Sequence, residues 1–470
     1  MKLVDRLLDH AQALQWAQLP TATVDAAHTF ITDSVGVALA GSQHPRLPQV
    51  RAAAAAWGQG KDARDWASGQ SWPAASAALL NAYQMHNQEF DCVHEAAVVH
   101  PMASVLPALV AVAERQLRRG HHVSGAALLE AVVLAVDVAA TLGMAHSAPM
   151  RFFRPAMCGA LGASLGAARL LGFSRLQMAD TLGIAYSQLA GTMQAHSEGS
   201  PMLALQVGLA SRAAVMAVDL AAAGFSGPHD VIEGRFGYFN LFDAPLAPRL
   251  DAVQAVFEHL QPGSRITELS HKPFPTGRAA HGALDGLLSL QAEHGFQAEQ
   301  VSRIELAAPP LILRLVGRPA LPAMDVNYAR LCLGYLCATL LQRGSVGLQD
   351  FSPQALADPQ RLAWAAHVFT VPNDVEDANA LAPQTLRVWL QAAAPLTIEL
   401  PAVLGHPQRP LSAALQRQKF DACCDFAGLP PPATEALHRQ CRQLASLDGP
   451  GGLSAWLDLM PVPTPNPAHA

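Results

Sequence analysis

The length, composition and charge of the chain exclude several classes of protein. Its 470 residues are too many for one ordinary hydrophobic core, so two domains are expected. Hydrophobic residues make up 51% of the chain and charged residues only 14%, which leaves few polar side chains to cover a monomer. We therefore expect large buried surfaces, including a contact between subunits. The net charge of −6, without a basic stripe, argues against nucleic-acid binding.

The chain shows no targeting or membrane signal. Its first residues, Met1 to Arg6, are typical of an amphipathic helix rather than a signal peptide. No stretch reaches about 18 uninterrupted apolar residues, and the most apolar segment, 126–140, contains Glu130 and Asp137. Seven cysteines without a CxxC pair indicate a reduced chain whose thiols pack in the core. A cytoplasmic protein that does not enter the membrane is predicted.

The first half of the chain has helical spacing. Apolar residues such as Leu3, Leu7, Leu8 and Ala11 recur every three or four positions, and glycine and proline separate one helical stretch from the next. The stretch 160–171 carries small residues on several faces, which predicts close approach between helices. Residues 1–264 are therefore predicted to form an all-helical domain.

The pattern changes after residue 264. Segments 301–307 and 386–391 alternate like half-buried strands, and 396–400 is a candidate partner for the second of them. Segments 327–343 and 353–366 have helical spacing. The predicted fold class is mainly α, with a smaller α+β lid domain over 265–402. Residues 403–460 are predicted to form helices that return to the helical domain, and 461–470 a disordered tail.

The richest polar cluster of the first half lies between His86 and His100. Glu89 and Asp91 flank Phe90 here, and carboxylates beside imidazoles can act as acids or bases once their pKa values are tuned. A structural alternative stays open, in which the carboxylates cap backbone amides at a helix end. A metal site built on His86 and Glu89 is the weaker hypothesis, because no second ligand pair occurs at matching spacing. No metal is predicted.

A second cluster is cationic. Lys272, Arg278 and His281 surround a Pro/Gly turn that leads into a helix near Ala280, and a helix N-terminus with adjacent cations can bind a carboxylate. The alternative is a basic surface loop. Tyr328 stands at the head of a further helix, where it either contacts a ligand or bridges the domains. Phosphate-loop, dinucleotide-binding and hydrolase motifs do not occur, and no cofactor is predicted.

Taken in order, these pieces resemble the MmgE/PrpD family, which contains 2-methylcitrate dehydratase, cis-aconitate decarboxylase and iminodisuccinate epimerase. The likeness covers about residues 5–445. It rests on five stretches: 81–109, with Glu89-Phe-Asp and His100-Pro; 158–191, with Cys158-Gly-Ala-Leu-Gly; 224–237, with Gly224-Phe-Ser-Gly-Pro; 272–281, with Lys272-Pro-Phe-Pro; and 405–420, with Pro410-Leu-Ser.

The resemblance implies both an architecture and a chemistry. It implies a homodimer in which each subunit holds its site in a cleft between the helical domain and the lid. It further implies a substrate among the small di- and tricarboxylates and a reaction that moves a proton next to a carboxylate without a cofactor. In that cleft, acids and imidazoles of the helical domain would face Lys272 and Arg278 of the lid.

The chain also departs from the family pattern at site positions. An Asp of the family is Glu89, a histidine is replaced at Arg154, and a lysine is Leu203. Three further exchanges are Cys92 for an acidic residue, Val93 for threonine and Gln206 for histidine. A chain that keeps the scaffold and exchanges site residues has changed its substrate or chemistry, or has lost activity.

We predict an enzyme that abstracts an α-proton from a small polycarboxylate. Four residues are predicted to be catalytic: Glu89, Asp91, His100 and His281. Six are predicted to bind substrate: His86, Arg154, Gln206, Lys272, Arg278 and Tyr328. A lyase, either a dehydratase or a decarboxylase, is the leading hypothesis. An epimerase or isomerase of a dicarboxylate and a non-catalytic carboxylate-binding relative are the alternatives.

Overall fold

The structure is a computed structural model that describes residues 1–66, 68–391, 394–448 and 451–460. It confirms the predicted fold class, since 58% of the chain is helical and 8% lies in strands. The predicted disordered tail, 461–470, falls outside the described residues, as does part of the turn predicted between 391 and 396.

The first half of the chain builds a helical body around one large core. Its helices are α1 (Leu3–Ala13), α2 (Thr21–Gly41), α3 (Leu47–Ala56), α4 (Ala74–His86), α5 (Pro101–Arg118), α6 (Gly125–Met144), α7 (Arg154–Leu170), α8 (Arg175–Tyr186), α9 (Gln194–Glu198), α10 (Met202–Ala222), α11 (Tyr238–Phe242) and α12 (Leu250–Glu258). Two short strands, β1 (Ala63–Arg64) and β2 (Ser71–Trp72), form an antiparallel pair beside α4. The stripe predicted from Leu3, Leu7, Leu8 and Ala11 is buried in this core.

Small residues allow the central helices to approach closely. A Cβ atom at Gly162 of α7 would lie 2.3 Å from the carbonyl oxygen of Ala135 in α6, and one at Gly166 would lie 2.7 Å from that of Ala131. Any side chain at these glycines would force α6 and α7 apart. The close helix packing expected from the small residues of 160–171 is present.

Two helices of the body are long and apolar enough to span a membrane by length and composition alone. They are α6 and α10, of whose most apolar windows 83% and 61% are buried within the protein. Helices at the centre of a soluble protein have the same composition, and burial against other helices is what the structure shows for both. The cytoplasmic location stays a prediction.

The second core contains a four-stranded sheet and the helices packed on it. The strands are β5 (Val301–Ala308), β6 (Val368–Pro372), β7 (Gln384–Leu390) and β8 (Leu396–Leu400), in the order β6-β5-β7-β8. The first two are parallel and the other pairs antiparallel, with Leu386 opposite Ile398 in β7 and β8. The helices are α13 (His281–His294), α14 (Pro310–Val316), α15 (Val326–Ala329), α16 (Leu333–Arg343), α17 (Pro353–Leu356) and α18 (Pro359–Ala365). The sequence prediction had the other three strands but omitted β6, and it joined α15 to α16 and α17 to α18.

The last helices pack on the helical body. They are α19 (Ala413–Ala427), α20 (Pro431–Arg442) and α21 (Gly452–Asp458). In the contact of α19 with α2, a Cβ atom at Gly36 would lie 2.9 Å from the ring of Phe420, so the two helices touch through a glycine. In the same contact, Lys419 forms an ion pair of 2.7 Å with Asp33.

A two-residue strand pair joins the two polar clusters of the sequence. Strand β3 (Val93–His94) pairs antiparallel with β4 (Leu269–Ser270), so that Val93 faces Ser270. The segment that carries Glu89, Asp91 and His100 therefore lies directly against the segment that begins at His271. This pairing positions the site described next.

Candidate active site

The site is built on the connection between α4 and α5. Helix α4 ends at His86, and α5 begins with Pro101, where a proline costs no helical hydrogen bond. Nearly all of the connection between them is buried, although it contains acids and imidazoles. Because an unpaired charge inside a protein is costly, these groups have to satisfy one another.

Asp91 is the centre of this cluster. Its Oδ2 atom lies 2.9 Å from Nδ1 of His86 and 3.2 Å from Nδ1 of His100. Nδ1 of His100 also lies 3.0 Å from the carbonyl oxygen of Cys92. A nitrogen between a carboxylate and a carbonyl must carry the proton, so the lone pair of neutral His100 is on Nε2. The two imidazole centroids are 5.0 Å apart.

The surroundings move the pKa values of the two histidines in opposite directions. Burial acts to lower the pKa of His86, but the negative charge and hydrogen bond of Asp91 outweigh it, and the pKa is raised. At His100 burial prevails over Asp91, helped by the positive charge of Lys272, and the pKa is lowered. Burial opposes ionisation of Asp91, yet the two imidazoles hold its pKa well below the ordinary value. Two histidines whose pKa values are moved apart in this way can serve as an acid and a base.

Glu89 lies beside this cluster in a strained conformation. Its φ of 50° is in the left-handed region, which few residues other than glycine adopt. Nζ of Lys272 lies 3.2 Å from its carboxylate and donates to its backbone carbonyl at 3.1 Å. Burial acts against ionisation, but Lys272 and then His86 lower the pKa of Glu89 overall. The Glu89 carboxylate is therefore held charged 3.9 Å from Nε2 of His86.

These residues border a small cavity of about 60 Å³ between the helical body and the sheet-containing part. Its polar lining consists of His86, Glu89, His100, His196 and Arg278. The rest is mostly apolar: Val93, Val98, Met150, Phe153, Pro155, Met193, Leu203, Gly277, Ala279, Leu315, Val316, Leu331 and Leu381. The cavity is thus polar where it borders these five residues and apolar over the rest of its lining.

His196 in α9 belongs to the cavity but was missed by the sequence prediction. Its Nδ1 accepts a hydrogen bond of 3.1 Å from Arg318, so its proton is on Nε2. That atom has no hydrogen-bond partner among the described residues. Burial, followed by the charge of Arg318, lowers the pKa of His196 to about 4, which leaves a neutral N–H donor at the cavity. An isolated histidine in a polar stretch gave no signal by which to find it.

The predicted carboxylate anchors Lys272 and Arg278 already have partners. Lys272 is fully buried against Glu89. Arg278 forms an ion pair of 2.8 Å with Glu95 and donates to the carbonyls of Val403 and Leu404 at 3.1 and 2.7 Å. Their binding of substrate stays a prediction, and in this structure both cations join the two parts of the protein.

The other predicted site residues lie around the cavity rather than on it. Arg154 donates to Ala148 and Asn379, although its Nε has no partner among the described residues. His281 is buried between Thr276 and Arg278. Gln206 lines a separate small cavity beside Gly191, and Tyr328 donates to the carbonyl of Pro319. The structure does not bring Gln206, Tyr328 or His281 to the cavity wall.

His86, Asp91 and His100 are also the residues best placed to hold a metal ion. One ligand atom from each lies within 4.8 Å of the others. However, both histidines direct Nδ1 at the same carboxylate oxygen over hydrogen-bond distances, so a metal would have to displace those two protons. The hydrogen bonds of Asp91 to both imidazoles give these three residues the connected donors and acceptors that proton transfer uses.

Comparison with known proteins decides the family. The MmgE/PrpD N-terminal domain model matches residues 5–249, and the MmgE/PrpD C-terminal domain model matches residues 274–437. The chain belongs to the MmgE/PrpD family. The resemblance inferred from the sequence motifs is thereby confirmed, and the two matched regions correspond to the helical body and to the part built on the sheet with the first C-terminal helices.

Curated members of the MmgE/PrpD family that resemble the chain are cis-aconitate decarboxylases. The human enzyme is 26% identical over 430 residues, which cover 87% of this chain and 85% of the enzyme. The mouse enzyme is 27% identical over 416 residues, covering 84% and 80%. The Aspergillus terreus enzyme is 28% identical over 239 residues, which is 49% of either chain.

Three of the six departures from the MmgE/PrpD motifs, Glu89, Val93 and Leu203, line the cavity. Val93 and Leu203 line it directly, Glu89 contributes its carboxylate, and Arg154 lies between the lining residues Phe153 and Pro155. Substitutions that replace polar by apolar groups at a cavity wall change what can bind there, because a charged ligand loses its partners. The family scaffold is retained, and apolar side chains stand in the cavity wall at Val93 and Leu203.

Proposed function

We propose that the protein is a cofactor-independent lyase that removes a proton next to a carboxylate of a small dicarboxylic acid. The observation that carries this proposal is the carboxylate of Asp91 shared by two imidazoles, one of which, His100, presents an unprotonated Nε2 at the cavity. The human and mouse relatives, which are cis-aconitate decarboxylases, support the reaction class.

His100 is the base in this scheme. Asp91 fixes its tautomer, and the lowered pKa keeps it neutral at pH 7, as a general base requires. Nε2 takes the α-proton, and the electron pair of the broken C–H bond moves into the adjacent carboxylate as an enolate. Asp91 stabilises the imidazolium that forms, in the manner of a catalytic triad.

His86 supplies the proton that completes the reaction. Its raised pKa favours the protonated form, and its Nε2 lies in the same wall of the cavity. In a dehydration, the enolate expels the β-hydroxyl group, which leaves as water with this proton. In a decarboxylation, His100 first returns the proton that it took to another carbon of the delocalised anion, the bond to one carboxyl group then breaks as carbon dioxide leaves, and the proton of His86 goes to the carbon that keeps the electron pair.

The lining favours a substrate with fewer charges than cis-aconitate, which has three carboxyl groups. His196 contributes a neutral donor to the lining, since its Nε2–H has no partner among the described residues, whereas Arg154 is absent from the lining although its chain neighbours Phe153 and Pro155 belong to it. Lys272 and Arg278 are engaged by Glu89 and Glu95. Apolar walls such as Leu203 bind the hydrocarbon part of an acid. A dicarboxylate with a hydrocarbon side chain or backbone matches this lining best.

Incubation with a panel of acids in deuterated water tests the proposal. The panel contains cis-aconitate, 2-methylcitrate and alkyl-substituted dicarboxylates, and proton NMR reports both turnover and exchange at the α-carbon. We expect exchange with at least one dicarboxylate. Exchange with inversion but without loss of water or carbon dioxide would identify the alternative epimerase, and binding without exchange the non-catalytic relative. Neither outcome is compatible with a lyase.

We also propose that two chains assemble through α10. Met202, Leu209 and Met216 are spaced seven residues apart on this helix and are between 37% and 42% exposed, and Leu220, one turn further on, is 40% exposed. Large apolar side chains repeated every two turns form one stripe, and a stripe of this kind marks a surface for association. The homodimer implied by the family resemblance would cover it.

A further inference from the structure

A second, larger cavity of about 540 Å³ lies near the first one. Gln88 lines this second cavity, while the next residue, Glu89, lines the candidate active site, so consecutive residues contribute to the two. The wall includes His44 from the loop after α2, Arg330 from the start of the α15–α16 connection, and Phe351. None of these groups takes part in the scheme proposed for His100.

Arg330 brings a buried positive charge without an ion-pair partner to this cavity. The residue is 2% exposed and forms no ion pair with a carboxylate among the described residues, although the more distant charge of Glu89 acts on it. Its guanidinium donates to the carbonyls of Gln88 and Pro275 at 3.0 and 2.7 Å and to the side chain of Gln88, and it stacks 3.9 Å above the ring of Phe351. Nε has no partner in the described part of the chain. A buried cation of this kind is costly unless an anion joins it.

His44 places an N–H donor beside that charge. It is 2% exposed, and its Nδ1 accepts from the backbone N–H of Arg46 and from the hydroxyl of Tyr83, both at 3.2 Å. The proton is therefore on Nε2, which lies near the side chain of Asn327 but forms no well-aligned hydrogen bond with an acceptor among the described residues. Burial, followed by the charge of Arg330, lowers the pKa of His44 to about 4, so the ring is neutral at pH 7.

The remaining lining narrows the class of ligand. The charged side chains on the wall are Arg46, Asp325 and Arg330, and Arg46 lies 3.4 Å from Asp325. With that pair compensated, one positive charge is left. Apolar side chains form much of the rest of the wall: Met324, Val326, Leu348, Phe351, Leu356 and Phe426. Besides the neutral side chains of Gln43, Gln88, Gln349, Ser352 and Gln354, the cavity therefore offers one cation without an ion-pair partner, the N–H of His44 and an apolar surface.

We propose that this cavity is a second anion site, separate from the active site, that binds a small organic monocarboxylate. Arg330 and the Nε2–H of His44 hold the carboxylate, since a guanidinium next to an N–H donor matches the two oxygens of that group. The hydrocarbon part of the ligand packs against Phe351 and its apolar neighbours. The ligand supplies an ion-pair partner for Arg330 and a better-aligned acceptor for His44.

Isothermal titration calorimetry of the full-length protein with butyrate tests this site. Butyramide, which has the same shape without the charge, and inorganic phosphate, which has the charge without the hydrocarbon, are the comparison ligands. We expect butyrate to bind at least about tenfold more tightly than either, which corresponds to ~1.4 kcal/mol. Equal binding of butyramide would overturn the role of Arg330, and equal binding of phosphate would overturn the preference for an organic acid.

Three variants locate the binding. Arg330→Gln and His44→Gln should each weaken butyrate binding by about tenfold or more, while His100→Gln, which alters the candidate active site, should leave it within about twofold. The His44 variant decides the question if the Arg330 variant does not fold. Loss of binding in His100→Gln alone would place butyrate in the active site, and retention of binding in His44→Gln would contradict the proposal. No enzymatic activity is needed for either result, so failure of the proposed lyase function leaves this test intact.

Discussion

Nζ of the fully buried Lys272 lies 3.2 Å from the carboxylate of Glu89 and 3.1 Å from its backbone oxygen. One lysine thus holds both the charge and the strained backbone of an active-site residue, and it comes from a segment more than 180 residues away. The ion pair links the helical body to the loop before α13. It fixes an acidic side chain at the cavity.

Replacement of Lys272 by methionine should be strongly destabilising. The Glu89 carboxylate would lose the cation at 3.2 Å and remain buried, and removing one partner of a buried pair costs about 3–5 kcal/mol of unfolding free energy. Urea denaturation measures this loss. The double variant Lys272→Met, Glu89→Gln should recover part of it, because no charge is then left alone. Lys61→Met, at an exposed position, is the control and should change stability by less than about 0.5 kcal/mol. A loss as small as in the control would show that the pair contributes little.

The activity should have a bell-shaped dependence on pH. His100 must be neutral to act as base, so activity rises with pH through its lowered pKa, on the acid side of 6.5. His86 must be protonated to act as acid, so activity falls as pH rises through its raised pKa, on the alkaline side of 6.5. Profiles of kcat/KM measure both limbs. His86→Gln should remove the alkaline limb, and a profile unchanged by that substitution would assign the limb to another group.

Leu203 should control the charge of the preferred substrate. The side chain is buried at the cavity wall, where the motif of the family has a lysine. Leu203→Lys adds a cation, and a charge-assisted hydrogen bond is worth roughly 1.5–3 kcal/mol. The ratio of kcat/KM for cis-aconitate to that for a dicarboxylate should therefore rise by about tenfold or more. Leu203→Met, which keeps the wall apolar, is the matched control. An equal ratio in both variants would mean that residue 203 does not contact the substrate.

The stripe on α10 should mediate association. Leu209→Glu combined with Met216→Glu places two charges in it, and like charges on facing copies of one surface oppose contact. Light scattering coupled to size-exclusion chromatography should give a dimer for the natural chain and a monomer for this variant. Phe225→Glu, at another exposed apolar residue, should remain dimeric. A monomeric natural chain, or a dimeric double variant, would exclude this interface.

The sequence predicts the local parts of this protein better than the distant ones. Helices such as α6 follow from their apolar composition, and β7 and β8 from strict alternation. Strand β6 was omitted because its side chains are at most half-buried at the edge of the sheet, which weakens the pattern. Asp91 and His100 are close in sequence, so their cluster could be anticipated. His196 could not, because only the tertiary fold brings α9 to the cavity.

The same limit applies to the cations. The residue types of Lys272 and Arg278 suggest a carboxylate site. Nothing in the local sequence indicates that Glu89 and Glu95 form ion pairs with them. Those partners are about 180 residues away in the chain and are brought close by the pairing of β3 with β4. Patterns in a sequence identify groups able to bind, and the fold determines which of them remain available.

Deuterium exchange at the α-carbon, measured for the natural protein and for His100→Gln, tests most directly whether His100 is the base that removes the α-proton. His229→Gln, at a partly exposed histidine far along the chain from the cavity lining, is the control. For the acid that the natural protein turns over, we expect His100→Gln to lower the exchange rate by about 10²–10⁴-fold with little change in melting temperature. The control variant should exchange at the natural rate. Exchange that continues at the natural rate in His100→Gln would show that His100 is not the base.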